Sequence, residues 1–142
     1  MTFELCLGFV VMILALLLHL GATILLIRIV RLFDSMIETS PHMTVSTTLL
    51  LTNFIFFVAQ VIGVGMWGCL FISLDIALSF SEAFYAAFVM HTTLGIGPIK
   101  PEIGTRLLAP LAAMSGIMTI GWSSAVLIYV VQTSLPHLAR NR

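Results

Sequence analysis

The sequence predicts an all-α membrane protein: three transmembrane helices and one shorter, re-entrant helix that enters the bilayer without crossing it. Three observations predict this. The 142 residues are 60% hydrophobic and 8% charged, with mean hydropathy +1.15, whereas a water-soluble domain carries about 25% charged residues. Three apolar runs, near 5–30, 45–74 and 107–132, reach the roughly 20 helical residues that a bilayer core requires. A fourth, about 82–93, is too short to cross. Irregular backbone following it at membrane depth must be buried in protein or line water.

The first run follows Met1-Thr2-Phe3-Glu4. It has no basic leader, is too long for a signal peptide, and lacks a small-residue cleavage pattern, so it is read as a span. His19 falls near its middle, and Arg28 and Arg31 end it. The polar stretch 34–44 is read as a loop punctuated by Pro41. In the second run Asn53, Gln60 and Trp67 recur every seven residues and should share a face. With antiparallel spans, His19 lies at a depth between Gln60 and Asn53. Its predicted role is interhelical hydrogen bonding, with a proton pathway as the other reading. Gly63, Gly65 and Gly68 are expected at close helix contacts. Ser79 and Glu82 predict a capping box at the start of the short helix. In the last run Ile117, Ile120, Ser124, Ile128 and Gln132 follow spacings of three and four, which place them on one helix face.

Basic residues orient the spans. Putting Arg28, Arg31, Arg140 and Arg142 in the cytoplasm leaves Lys100 and Arg106 outside. The amino terminus then lies outside and the carboxyl terminus inside. Formal net charge is zero, which gives no indication of a nucleic-acid partner. Cys6 and Cys69 lie in apolar segments and are expected as buried thiols. No Cys/His spacing reads as a zinc site. No nucleophile–base pair, metal cluster or phosphate loop points to an enzyme.

The stretch Thr92-Thr93-Leu94-Gly95-Ile96-Gly97 follows the short helix. Its two glycines allow backbone angles that other residues resist. Alternating such angles turns successive carbonyl oxygens to one side, and four copies around an axis would make rings that replace a cation's water shell. The stretch resembles the potassium-channel signature Thr-Val-Gly-Tyr-Gly. From about 80 to 132 the chain resembles the pore module of the potassium-channel superfamily. It is most similar to small bacterial channels with an extra amino-terminal span, which carry a His like His19 and a Gly-Trp-Ser segment like Gly121-Trp122-Ser123.

The resemblance implies a division into a first span and cytoplasmic loop (1–44), a pore module (45–133) and a short cytoplasmic tail (134–142). Within the module it implies an outer helix over 45–74, a pore helix over 81–92, a filter over 93–97 and an inner helix over 106–133. It implies a homotetramer in the bacterial inner membrane, with no soluble cofactor. Potassium would be held at the carbonyls of Thr93, Leu94, Gly95, Ile96 and Gly97. Gly116 matches a hinge glycine, Gly121 a second small position, and Arg106 a basic residue at the start of the inner helix. Ile117, Ile120, Ser124, Ile128 and Gln132 match pore-lining positions. Asp75, Glu82 and Glu102 would be the acids near the outer mouth, with Glu102 able to pair with Arg106. His91 has two readings, a buried hydrogen-bond partner or a pH-sensitive group behind the filter.

The chain departs from the pattern at three places. Ile96 replaces the filter aromatic, Pro98 the following acid, and Val89 a pore-helix Glu found in some members. Each lost hydrogen bond is worth about 1 kcal/mol. Packing of Ile96 against the pore helix is the expected compensation. Two further functions therefore stand beside a potassium channel: a weakly selective sodium/potassium pore, and a non-conducting membrane subunit.

Overall fold

The structure is a computed structural model that describes residues 2–37, 41–96 and 105–139. These residues form four helices: α1 (Thr2–Ile37), α2 (Pro41–Ser73), α3 (Phe80–His91) and α4 (Leu108–Ala139). Three of them carry stretches long and apolar enough to cross a membrane, Thr2–Arg31, Met43–Ser73 and Leu108–Thr133. The 12 residues of α3 rise about 18 Å, well short of a hydrocarbon core of about 30 Å.

The long helices extend further than the sequence suggested. Pro41 opens α2 instead of punctuating a loop. At the first helical position its missing N–H removes a bond the helix never makes, and its fixed φ suits the turn. Of the stretch 34–44 expected as a loop, residues 34–37 belong to α1 and 41–44 to α2, and 38–40 lie outside the described residues. At the other end, α4 runs through Gln132 to Ala139, into the segment expected as a tail.

Contacts fix the helix directions. The N–H of Leu107 donates to Glu4 Oε2 at 3.3 Å. Gly8 faces the Leu111 side chain, and Trp122 Nε1 donates to Thr23 Oγ1 at 3.0 Å. Position rises along both helices together, so α1 and α4 run parallel. In contrast, α2 runs against α1: His19 stacks on Phe56 with centroids 6.1 Å apart, while Leu26 shares a cavity lining with Thr48. The start of α1, the end of α2 and the start of α4 therefore lie at one end of the bundle.

The core gathers at that end around α3. Ala83, Ala86 and Ala87 form its buried stripe and pack with Val64, Trp67, Leu70, Phe71, Leu108 and Ala112. Small residues let backbones approach. At Gly68 a Cβ would lie 3.2 Å from Phe84 Cα, so this glycine seats α3 on α2. Gly65 meets only the rim of the Phe84 ring, at 3.9 Å, and Gly63 has nothing within 4 Å. Of the three glycines expected at close contacts, Gly68 is the one that makes a tight one.

The expected cap is present with a shift. Ser79 has extended angles and its Oγ accepts the N–H of Glu82 at 3.3 Å. The Glu82 carboxylate takes the N–H of Leu78, at 3.2 Å, one residue before the cap itself.

Cys6 and Cys69 are free and exposed, which corrects their expected burial. Outward faces of these helices are as apolar as inward ones: Phe9, Leu17, Phe54 and Ile128 are all about half exposed or more. In a chain whose surroundings are hydrocarbon, an apolar neighbourhood in sequence does not mark the interior.

Candidate functional site

The site is built on the carboxyl end of α3. Thr92 is the C-cap. Thr93 follows with φ +60° and Gly95 has φ +69°. The N–H of Thr93 donates to the Met90 carbonyl at 2.9 Å, and that of Leu94 to the Val89 carbonyl at 3.0 Å. Gly95 adds a longer bond to the same Val89 oxygen, 3.4 Å. This is a helix stop in which a residue of positive φ turns the next amides back onto the last turn.

The consequence lies on the other side of each peptide. A trans peptide points its C=O opposite to the following N–H. Three successive N–H groups turned onto α3 therefore direct the carbonyls of Thr92, Thr93 and Leu94 away from it. Among the described residues none donates to them, and residues 92–96 are all exposed. The end of α3 carries the negative pole of the helix dipole. Dipole and carbonyls together make this strip attractive to cations.

The residue used at the stop is informative. At the end of α2 the same bonding recurs: Asp75, with φ +54°, donates to Ile72, and Ile76 donates to Phe71 at 3.0 Å. Asp tolerates positive φ; a β-branched residue there is an outlier, at about 1–2 kcal/mol. Thr93 is thus strained where Gly or Asn would serve a plain helix stop. Backbone strain of this kind concentrates at functional positions. Thr93→Gly is expected to raise stability by up to about 1 kcal/mol, read as a higher unfolding temperature in detergent.

Behind the strip sits a buried polar clamp. His91 Nε2 donates to Gln60 Oε1 at 2.8 Å. The Thr119 hydroxyl lies 3.1 Å from the same oxygen and 3.4 Å from His91 Nε2. It also reaches the carbonyls of Ser115 at 2.9 Å and Gly116 at 3.1 Å, and its single proton serves these acceptors one at a time. The clamp thus ties α2, α3 and α4 at one point. Gly116 completes it: a Cβ there would overlap the His91 carbonyl oxygen and lie 2.7 Å from the carbonyl carbon. The α4 backbone is where α3 comes to rest. Buried Ser115 Oγ and His91 Nδ1 have no hydrogen-bond partner among the described residues.

The other predicted residues are placed as follows. Ile117, Ile120, Ser124, Ile128 and Gln132 are all exposed, while Ala112, Ser115, Gly116 and Thr119 on the same helix are buried. Gly121 is exposed with nothing within 4 Å, and α4 runs unbroken through both glycines. Ile96 is 68% exposed, so the expected packing against the helix of its own chain does not occur. Gly97, Pro98, Lys100 and Glu102 lie outside the described residues, and with them the expected Arg106–Glu102 pair. His19 is buried and its Nδ1 bonds to the Ala15 carbonyl of its own helix at 2.9 Å. The depth expected for it holds, since Phe56 stacks on it. The expected interhelical hydrogen bond does not form, because Gln60 turns to His91 and Asn53 bonds its own helix at Leu49. Asn53, Gln60 and Trp67 share a face of the unbroken α2, as expected; Asn53 is exposed and Trp67 fully buried because the core around α3 reaches only the Trp67 end. Thr119 was not foreseen; a hydroxyl one turn past Gly116 in an apolar span was the available signal.

Comparison with family models, curated proteins and solved structures gave no match.

Proposed function

We propose that the chain is one subunit of a homotetrameric cation channel. In this reading α2, α3 and α4 form the pore module, α3 is the pore helix, and four strips beginning at Thr93 face a common axis. Potassium is the permeant ion, stripped of water by rings of backbone oxygens. The protein lies in the plasma membrane of a bacterium, with the amino terminus outside. One observation carries this reading: three consecutive carbonyls directed away from α3, on exposed backbone strained at Thr93. The exposed row Ile117, Ile120, Ser124, Ile128 and Gln132 on α4 suits the wall of a cavity below that strip. A single strip cannot enclose an ion, so the function requires neighbouring chains.

The exposure of Ile96 favours a second reading within the same class. Without the usual bonds behind the filter, oxygen spacing is held less firmly, and a pore that passes sodium as well as potassium results.

Purified protein in liposomes is expected to pass potassium and rubidium. Gly95→Ala puts a side chain on a residue at φ +69°, strained by about 1–2 kcal/mol. It is expected to abolish flux while the tetramer persists. Equal sodium and potassium flux selects the weakly selective pore. A stable tetramer without flux of any of the three ions rejects conduction in favour of a non-conducting subunit.

A further inference from the structure

At the end of the bundle away from α3, the three long helices line a cavity of about 640 Å³. Its wall is mostly apolar, with Leu26 on α1, Val45 on α2 and Val126 on α4, and Thr48 and Tyr129 among its polar members. Among the described residues of its lining, Arg31 is the one charged group. We propose that this cavity binds an acyl chain of an anionic phospholipid, with the headgroup phosphate held by Arg31.

Placement supports the assignment. Arg28 and Arg31 close the first apolar run, and the polar residues Asp34, Ser35 and Glu38 follow in the sequence, so the Arg31 guanidinium belongs at the level where hydrocarbon gives way to headgroups. From there the lining runs back along α1 to Thr23. Eight residues of helix rise about 12 Å, which carries the cavity into the hydrocarbon layer. A charged mouth over an apolar depth matches a phospholipid, with phosphate at one end and chain at the other. Guanidinium pairs well with phosphate oxygens, and basic pockets between spanning helices suit anionic headgroups. An apolar space beside lipid chains is not a favourable place for water, which needs several polar partners. The proposal rests on membrane insertion alone and stands whether or not the chain conducts.

The test uses a reporter already in place. Trp122 donates to Thr23 in the cavity lining, whereas Trp67 is fully buried in the core around α3. Full-length protein is reconstituted in phosphatidylcholine vesicles containing rising fractions of brominated phosphatidylglycerol or brominated phosphatidylcholine, and tryptophan quenching is followed. Half-maximal quenching is expected at about fivefold less of the anionic lipid, the preference that one well-placed Arg gives. Arg31→Gln should abolish that preference and Arg31→Lys should retain part of it. Arg28→Gln, exposed and outside the lining, should leave it intact. Equal quenching by the two lipids overturns the proposal. So does equal loss in the Arg28 and Arg31 variants, which would mean general attraction to an anionic surface. A change of oligomeric state in Arg31→Gln with unaltered lipid preference would give the cavity to a second copy of the chain, and also overturns it.

Discussion

Alanine at position 116 is expected to push α3 off its seat and to abolish ion flux. The added methyl group would occupy the space of the His91 carbonyl oxygen. That oxygen belongs to backbone, so no side-chain rotation relieves the clash. Either the end of α3 moves or α4 bends away. Overpacking of this kind costs about 1–3 kcal/mol. The usual effect of the substitution has the opposite sign, because alanine is favoured over glycine in a helix interior by about 0.5–1 kcal/mol. Gly121 supplies the comparison within the same helix: nothing lies within 4 Å, so Gly121→Ala is expected to be neutral or mildly stabilising. Thermal unfolding in detergent and rubidium uptake into liposomes measure both effects. A Gly116→Ala protein as stable and as active as the original would mean that α3 does not rest on α4 as described. Full loss of flux in Gly121→Ala without loss of stability would instead favour bending of the helix, which needs glycine flexibility at both positions.

Gln60→Leu is expected to destabilise the protein by about 1–3 kcal/mol, since it leaves the His91 Nε2–H buried without its acceptor. His91→Leu should cost less on the hydrogen-bond side, because the Thr119 hydroxyl, 3.1 Å away, still donates to Gln60 Oε1. The double variant should lose less than the sum, because an apolar pair of similar shape leaves no polar group stranded. The coupling expected from a double-mutant cycle is about 0.6–2 kcal/mol, the range for hydrogen bonds between membrane helices. Flux carries the second readout. If the clamp holds the end of α3 in place, both single variants should lower the ratio of potassium to sodium flux. Additive stabilities would show that Gln60 and His91 do not act as a pair. An unchanged ratio would confine the clamp to folding.

Much of the architecture was legible in the sequence, because the bilayer sets lengths. Three runs long enough to cross and one too short fixed the number and kind of helices. Ser79 and Glu82 marked the start of α3, since a cap depends on residues three apart on one strand of chain. The special backbone beginning at Thr93 was signalled by its glycines, although only the structure assigned a positive φ to Thr93 itself. Partners were a different matter. Gln60 was expected beside His19 and bonds His91 instead. Both residues are at compatible depths, and the choice between them depends on how α3 rotates against α2.

What the sequence determined by itself was the set of helices, their approximate lengths and the site where regular helix gives way to oxygen-presenting backbone. These follow from local chain chemistry and from the thickness of hydrocarbon. The tertiary structure alone decided which face of each helix is interior, and so which glycine seats a neighbour, that both thiols are exposed and which polar groups meet. The physical reason is that lipid is as apolar as a protein core. Hydropathy therefore says that a helix belongs in the membrane, but leaves its rotation to the packing of small residues such as Gly68 and Gly116 and to buried hydrogen bonds such as that between His91 and Gln60.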